Sequence, residues 1–158
     1  MGHVIDAEGV HQSHEKVQAI VEAPSPATVT EVRSFLGMLQ YYEKFLPNLS
    51  TVLHPLNDLL REGASSSWQP GCQEAFESAK ELLQSAKVLA HFDVNLPIKL
   101  ACDASSYGIG ALLSHVMPGG DKRPMAFASR TFSASEKNYA QLEKEALSII
   151  CGVKKFHQ

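Results

Sequence analysis

The chain has 158 residues, 44% of them hydrophobic and 20% charged, an ordinary globular balance that argues against extended disorder. Its formal net charge of −3 excludes a strongly basic field over the whole molecule and leaves any attraction to nucleic acid or anionic membrane to local surface. Three widely spaced cysteines, Cys72, Cys102 and Cys151, without any C-x-x-C pair, suggest neither a disulfide framework nor a cysteine zinc site and read as reduced thiols of an intracellular chain. No apolar run reaches the ~18 to 20 residues of a membrane span, and the N-terminus lacks a signal-peptide layout.

In chain order, Val4 and Ile5, a turn at Glu8-Gly9 and then Val10 predict a hairpin, followed by a short helical pattern at Val17, Ile20 and Val21 that Pro24 and Pro26 stop. Thr28, with Glu31 three residues on, predicts the cap of a new helix. Val32, Phe35, Leu36, Leu39, Tyr42 and Phe45 keep the three-and-four spacing of one amphipathic face as far as Pro47-Asn48. Short helical runs follow from Leu49 to Leu60, and the polar stretch Arg61 to Ser67 predicts a linker. A packing helix is expected from Pro70, which suits a first helical turn. Ala75, Phe76, Ala79, Leu82, Leu83 and Ala86 form its buried stripe, and Glu74, Glu77, Lys80 and Glu81 face outward.

From Pro97 the period changes. "PIKLACDAS", "YGIGALLSHVM" and "RPMAFASRTF" are strand-like runs, the last two joined by "PGGDK", and predict a three-stranded antiparallel meander. Ser133 and Glu136 predict a capping box. The helix beyond it is expected to bury Tyr139, Leu142, Ala146, Ile149, Ile150, Val153 and Phe156.

Two carboxylates bear on chemistry. Asp103 interrupts an apolar strand beside Ala104 and Ser105. A turn residue and a ligand for a cation both fit that setting, and local hydrogen-bonding preference favours the turn. Glu145 falls on a shoulder of the last helix beside Leu142 and Ile149, where it can face the layer beneath or merely solvate the edge. Gly108 and Gly110 permit close backbone approach on the second strand. Arg33, Lys44, Lys154 and Lys155 are candidates for phosphate contact, against the alternative of a solvated face. His11 and His14 form a weak H-x-x-H that reads as exposed helix-start residues, and Tyr41 and Tyr42 read as packing residues.

The ordered series "CDAS", "GIGALLSH", "RPMAFASRTFS" and "NYAQLEKEALSII" resembles the first half of the RNase H domain in the Pol polyprotein of gypsy-type LTR retrotransposons and retroviruses. The preceding segments resemble reverse transcriptase in the same order. Residues 1–26 look like the primer-grip end of the palm, 27–63 like the thumb helices, 64–95 like the connecting helix, and 96–158 like the N-terminal half of RNase H. The implied fold is mixed α/β: a helical thumb-like segment, then a truncated RNase H-like fold of a three-stranded antiparallel meander plus one long helix.

The resemblance implies that Asp103 and Glu145 coordinate Mg²⁺ for cleavage of RNA in an RNA–DNA hybrid. It implies hybrid or template-primer as partner, and neither a membrane nor a small-molecule cofactor; Gly108, Gly110, Arg33 and Lys44, read from the residues themselves, are the candidate nucleic-acid-contacting positions. Two further family carboxylates are expected beyond this helix, and the polymerase Tyr-x-Asp-Asp motif is absent, since the sequence holds no Asp-Asp pair. The chain is therefore expected to be a catalytically incomplete part of a reverse transcriptase/RNase H. The competing reading is a host-retained, non-catalytic RNase H-like interaction module.

Overall fold

The computed structural model describes residues 2–61 and 67–157; the centre of the predicted linker, 62–66, lies outside the described residues. Strands β1 (His3–Ile5) and β2 (Val10–Gln12) form the expected hairpin. Asp6 holds its turn by accepting from the Glu8 and Gly9 N–H groups and pairs with His11 at 2.6 Å. His11 is thus a strand residue with a carboxylate partner, and His14 opens helix α1 (His14–Val21).

Helix α2 (Val29–Tyr41) starts where Thr28 accepts from the Glu31 N–H and Glu31 accepts in return from the Ala27 N–H. It is shorter than the apolar spacing predicts. At Tyr42 the chain leaves α-geometry, and Glu43–Phe45 form a 3₁₀ turn that still buries Tyr42 and Phe45. Helices α3 (Leu49–Val52) and α4 (His54–Asp58) follow, then α5 (Pro70–Gln84), with Pro70 in its first turn as expected.

Residues 27–61 and 67–89 contribute to one core. Phe35 meets Phe76 in a tilted ring contact at 4.6 Å, and Leu39, Tyr42, Phe45, Leu56 and Ala79 are sealed from solvent. Lys80, expected to face outward, instead lies half-buried along the Phe76 ring and donates to Ala23 O at 2.8 Å. Its long apolar stem lets it cover the core while the ammonium closes the end of α1.

The three predicted strands are β3 (Ile98–Ala104), β4 (Gly108–Val116) and β5 (Lys122–Thr131), antiparallel in the order β3-β4-β5. The β4–β5 turn uses Gly120 at φ +87°, where a side chain would be strained. A register shift at Leu113/Ser114 places Pro124 opposite Ser114. Proline is tolerated there because β5 is an edge strand.

The sheet is covered on both faces. Alternation turns Phe127 and Ser129 of β5 toward the helical core, and Cys102, Ala104, Ile109 and Ala128 toward the C-terminal helix α6 (Gln141–Phe156).

The Ser133–Glu136 capping box forms, but it caps only a 3₁₀ turn, Glu136–Asn138. Tyr139 and Ala140 are extended, and α6 begins afresh at Gln141, where Glu143 accepts from the Ala140 N–H at 2.8 Å. The face that α6 buries also differs from expectation. Leu142 is 77% and Ile149 56% exposed, and Ile150, Val153 and Tyr139 are open to solvent as well. The sheet instead receives Leu147, Ser148, Cys151 and Gly152, on the opposite side of the helix at about 100° per residue. Small residues prevail at the contact because they let the helix backbone settle onto the strands. A Cβ on Gly152 would lie only 2.6 Å from Cys102 Sγ.

Gly108 and Gly110 differ in what confronts them. A Cβ on Gly108 would collide with the backbone carbonyl of Arg130, whereas one on Gly110 would meet the side-chain oxygen of exposed Asn48. Gly108→Ala is therefore expected to destabilise the chain by about 1 to 3 kcal/mol, and Gly110→Ala by less than about 1 kcal/mol, because Asn48 can rotate away. Urea-unfolding midpoints of the two variants check this ranking, and equal shifts would contradict it.

Candidate functional site

Asp103 stands one residue before the end of β3, paired in register with Gly110, and is exposed. Its Oδ1 accepts from the Ala104 N–H at 2.9 Å. Alternation turns it away from the layer that Cys102 and Ala104 share with α6. Glu145 lies on α6, also exposed, on the flank of the sheet-facing side between Gln141 and Ser148. The sequence neighbours expected to carry Glu145 toward the buried layer, Leu142 and Ile149, are themselves exposed.

Gln141 connects the two elements. Its Nε2 donates to Ala104 O at 3.5 Å and to Glu145 Oε1 at 3.3 Å. Asp103 and Glu145 thus flank the Ala104 end of β3, one on the strand and one tethered to its next residue. Exposed carboxylates are hard oxygen donors of the type Mg²⁺ takes, and that ion is usually held by one or two carboxylates together with water and substrate phosphate. The pair suits such an ion in kind. Among the described residues no group of three or more His, Cys, Asp or Glu is placed to hold a metal.

The other predicted positions do not join this corner. Gly108 and Gly110 are buried, and the close approach they permit is to the Arg130 backbone and to Asn48. Arg33 is exposed on α2. Lys44 lies over the Phe45 ring at 5.2 Å, and burial lowers its pKa. Tyr42 is fully buried, and Tyr41 stacks on His3 at 4.8 Å. Lys154 and Lys155 do meet other polar groups, lining a cleft of about 350 Å³ between α6 and β5 with Glu43, Arg130, Ser148 and Cys151.

Sequence reasoning missed three contributors. Gln141 carried no signal. Arg130 binds Glu136 through two bonds of 2.8 and 2.9 Å, which fastens the β5–α6 connection to β5. Glu43 accepts from the Ser129 N–H at 3.0 Å, and Ser129 Oγ accepts from the Ser50 N–H at 2.9 Å, joining helical core to sheet across 79 to 86 positions. Only the Ser133–Glu136 spacing hinted that Glu136 would act locally.

Residues 68–158 match the family described as RNase H-like domain found in reverse transcriptase. The chain belongs to that family. It is 38% identical over 161 residues to the retrovirus-related Pol polyprotein from transposon opus of Drosophila melanogaster, covering 95% of this chain and 16% of the polyprotein. It is 34% identical over 154 residues to the Tf2-3 transposon polyprotein of Schizosaccharomyces pombe, covering 98% of this chain and 12% of the polyprotein. Foamy viral protease-reverse transcriptase in complex with dsDNA superposes with a TM-score of 0.81 at 26% identity, over 98% of this chain and 32% of that one. Its complex with RNA/DNA hybrid gives 0.80 at 27% identity, over 98% and 21%. This RNase H-like chain thus spans a small part of each retroelement polyprotein, and its mixed α/β fold is that of the viral enzyme.

Within the RNase H-like domain the Arg130–Glu136 pair has a pH signature. The Arg130 guanidinium, then the Ser133 N–H, holds the Glu136 carboxyl down to about 2 from its ordinary 4.5. A carboxylate depressed on folding contributes stability above its unfolded pKa and loses that contribution as pH falls through the folded value. Glu136→Gln is therefore expected to lower the melting temperature at pH 7. The gap between variant and parent should narrow from pH 4.5 toward about 2, as thermal melts across that range would show.

Proposed function

We propose that this chain is the part of a retroelement reverse transcriptase/RNase H that contributes Asp103 and Glu145 to a nuclease site acting on RNA in RNA–DNA hybrids. The observation that carries the reading is the Gln141 bridge, which ties the glutamate-bearing helix to the strand residue following Asp103. In family order, residues 1–26 read as the end of the palm, 27–63 as thumb, 64–95 as connection and 96–158 as the first half of RNase H. The likeness to foamy viral enzyme in complex with dsDNA and with RNA/DNA hybrid supports a nucleic-acid partner.

Mg²⁺ bound here would supply Lewis-acid activation of a phosphate and of an attacking water. Asp103, held by the Ala104 N–H, and Glu145, oriented by Gln141, would be its protein ligands. Arg33, Lys154 and Lys155 offer exposed cations for phosphate contact, and Lys44 a half-buried one. Gly108 and Gly110 act on nucleic acid only indirectly, by keeping β4 close to its neighbours.

With two carboxylates in place of a full clamp, the purified chain is expected to leave labelled RNA–DNA hybrid intact in Mg²⁺ or Mn²⁺. Robust cleavage would overturn the incomplete-site reading. In a polyprotein that cleaves hybrid, Asp103→Asn and Glu145→Gln should each cut the rate by more than about 100-fold, beyond the loss typical of outer-shell changes. Unchanged cleavage would instead favour a non-catalytic module.

A further inference from the structure

Away from the carboxylates, the contact between α6 and the sheet gathers two thiols and a guanidinium. Cys102 on β3 and Cys151 on α6 are free and half-buried. Cys102 Sγ lies 2.6 Å from the Cβ position of residue 152, so the sulfur sits directly beneath the turn of α6 that carries Cys151. Arg130 Nη2 donates to Cys151 Sγ at 3.3 Å, and Glu136 anchors the same guanidinium. Cys151 also lines the cleft of about 350 Å³ whose rim carries Lys154 and Lys155, so a small polar oxidant can reach it from solvent.

The two sulfurs are not equivalent. Burial, and then the neighbouring Cys151 sulfur, push the Cys102 thiol above its ordinary value, which keeps Cys102 protonated and slow as a first nucleophile. Cys72, the third thiol, is enclosed in the helical core.

We propose that Cys151 is an oxidation site for hydrogen peroxide and small hydroperoxides, with Cys102 as the resolving thiol that closes an intrachain disulfide between α6 and β3. In the first step the Cys151 sulfur attacks one peroxide oxygen and the O–O bond breaks. Cys151 becomes a sulfenic acid, and the thiol proton leaves with the other oxygen as water from hydrogen peroxide or as an alcohol from an alkyl hydroperoxide. In the second step the Cys102 sulfur attacks the sulfenic sulfur, an S–S bond forms, and the hydroxyl leaves as water with the Cys102 proton. Two thiols are oxidised by two electrons and one peroxide is reduced.

The test treats the purified 158-residue chain with stoichiometric hydrogen peroxide, followed by alkylation, intact mass measurement and peptide mapping. A loss of about 2 Da is expected before alkylation, and after alkylation in denaturant one alkyl group instead of three, on Cys72 as the internal control, with the Cys102 and Cys151 peptides linked within one chain. Cys102→Ser should leave a dimedone-reactive sulfenic acid on Cys151, and Arg130→Met should slow its formation several-fold. The proposal is overturned if both thiols remain alkylatable, if the link joins two chains, or if dimedone marks Cys102. The linkage result on the unmodified chain needs no variant to fold. None of these readouts depends on nuclease activity, so failure here leaves the proposed nuclease role standing, and the converse holds too.

Discussion

Ser129 on β5 is the point at which two different kinds of architecture become one molecule. β5 is an edge strand, and an edge presents unpaired N–H and C=O groups that cost free energy if buried and invite foreign strands if exposed. Here the Ser129 N–H is answered by the Glu43 carboxylate and the Ser129 hydroxyl by the Ser50 N–H. Further along the strand, the Ala90 N–H is answered by the Pro124 carbonyl at 2.7 Å. Phe127, two residues before Ser129, packs against the helical core. The orientation of the sheet on the helices, and through the sheet the position of α6, follows from this seam.

The helical core carries most of the fully buried side chains, among them Tyr42, Phe45, Phe76 and Leu83. The cluster between sheet and α6 is much smaller, centred on Ala104, Ile109 and Phe132. The difference follows from which side of α6 meets the strands. Ser148 and Gly152 bring backbones together but remove little apolar area from water, whereas Leu142, Ile149, Ile150 and Val153 stay exposed.

Much of this was legible in the sequence because the signals were local. The Thr28 cap, Pro70 at a helix start, the three strand runs and the Gly120 turn each rest on chemistry between near neighbours. Periodicity also identified the buried stripes of α2 and α5, where one apolar face met one core. It misled at α6, because apolar spacing reports which side is hydrophobic and not which side finds a partner, and the small residues that made the contact carry almost no hydrophobic signal. The 3₁₀ interruptions at Glu43–Phe45 and Glu136–Asn138 were invisible for a related reason: tertiary bonds from Glu43 and Glu136 hold geometry that side-chain spacing does not encode. At the candidate site, Asp103 and Glu145 gained meaning only from the ordered motifs around them. Gln141, which joins Glu145 to the Ala104 carbonyl, is an ordinary polar residue until the fold brings Ala104 beside it.

The glycine at position 152 has a mechanical side. Where large side chains separate a helix from a sheet, the gap follows their rotamers and varies as they repack. At Gly152 the helix backbone faces the Cys102 sulfur, the Ala111 methyl and the end of Leu100 with no room for a side chain between them, so the spacing between α6 and β3 is set at close range. A ligand touching both elements would inherit its span from that close approach, with little room for side-chain repacking to change it.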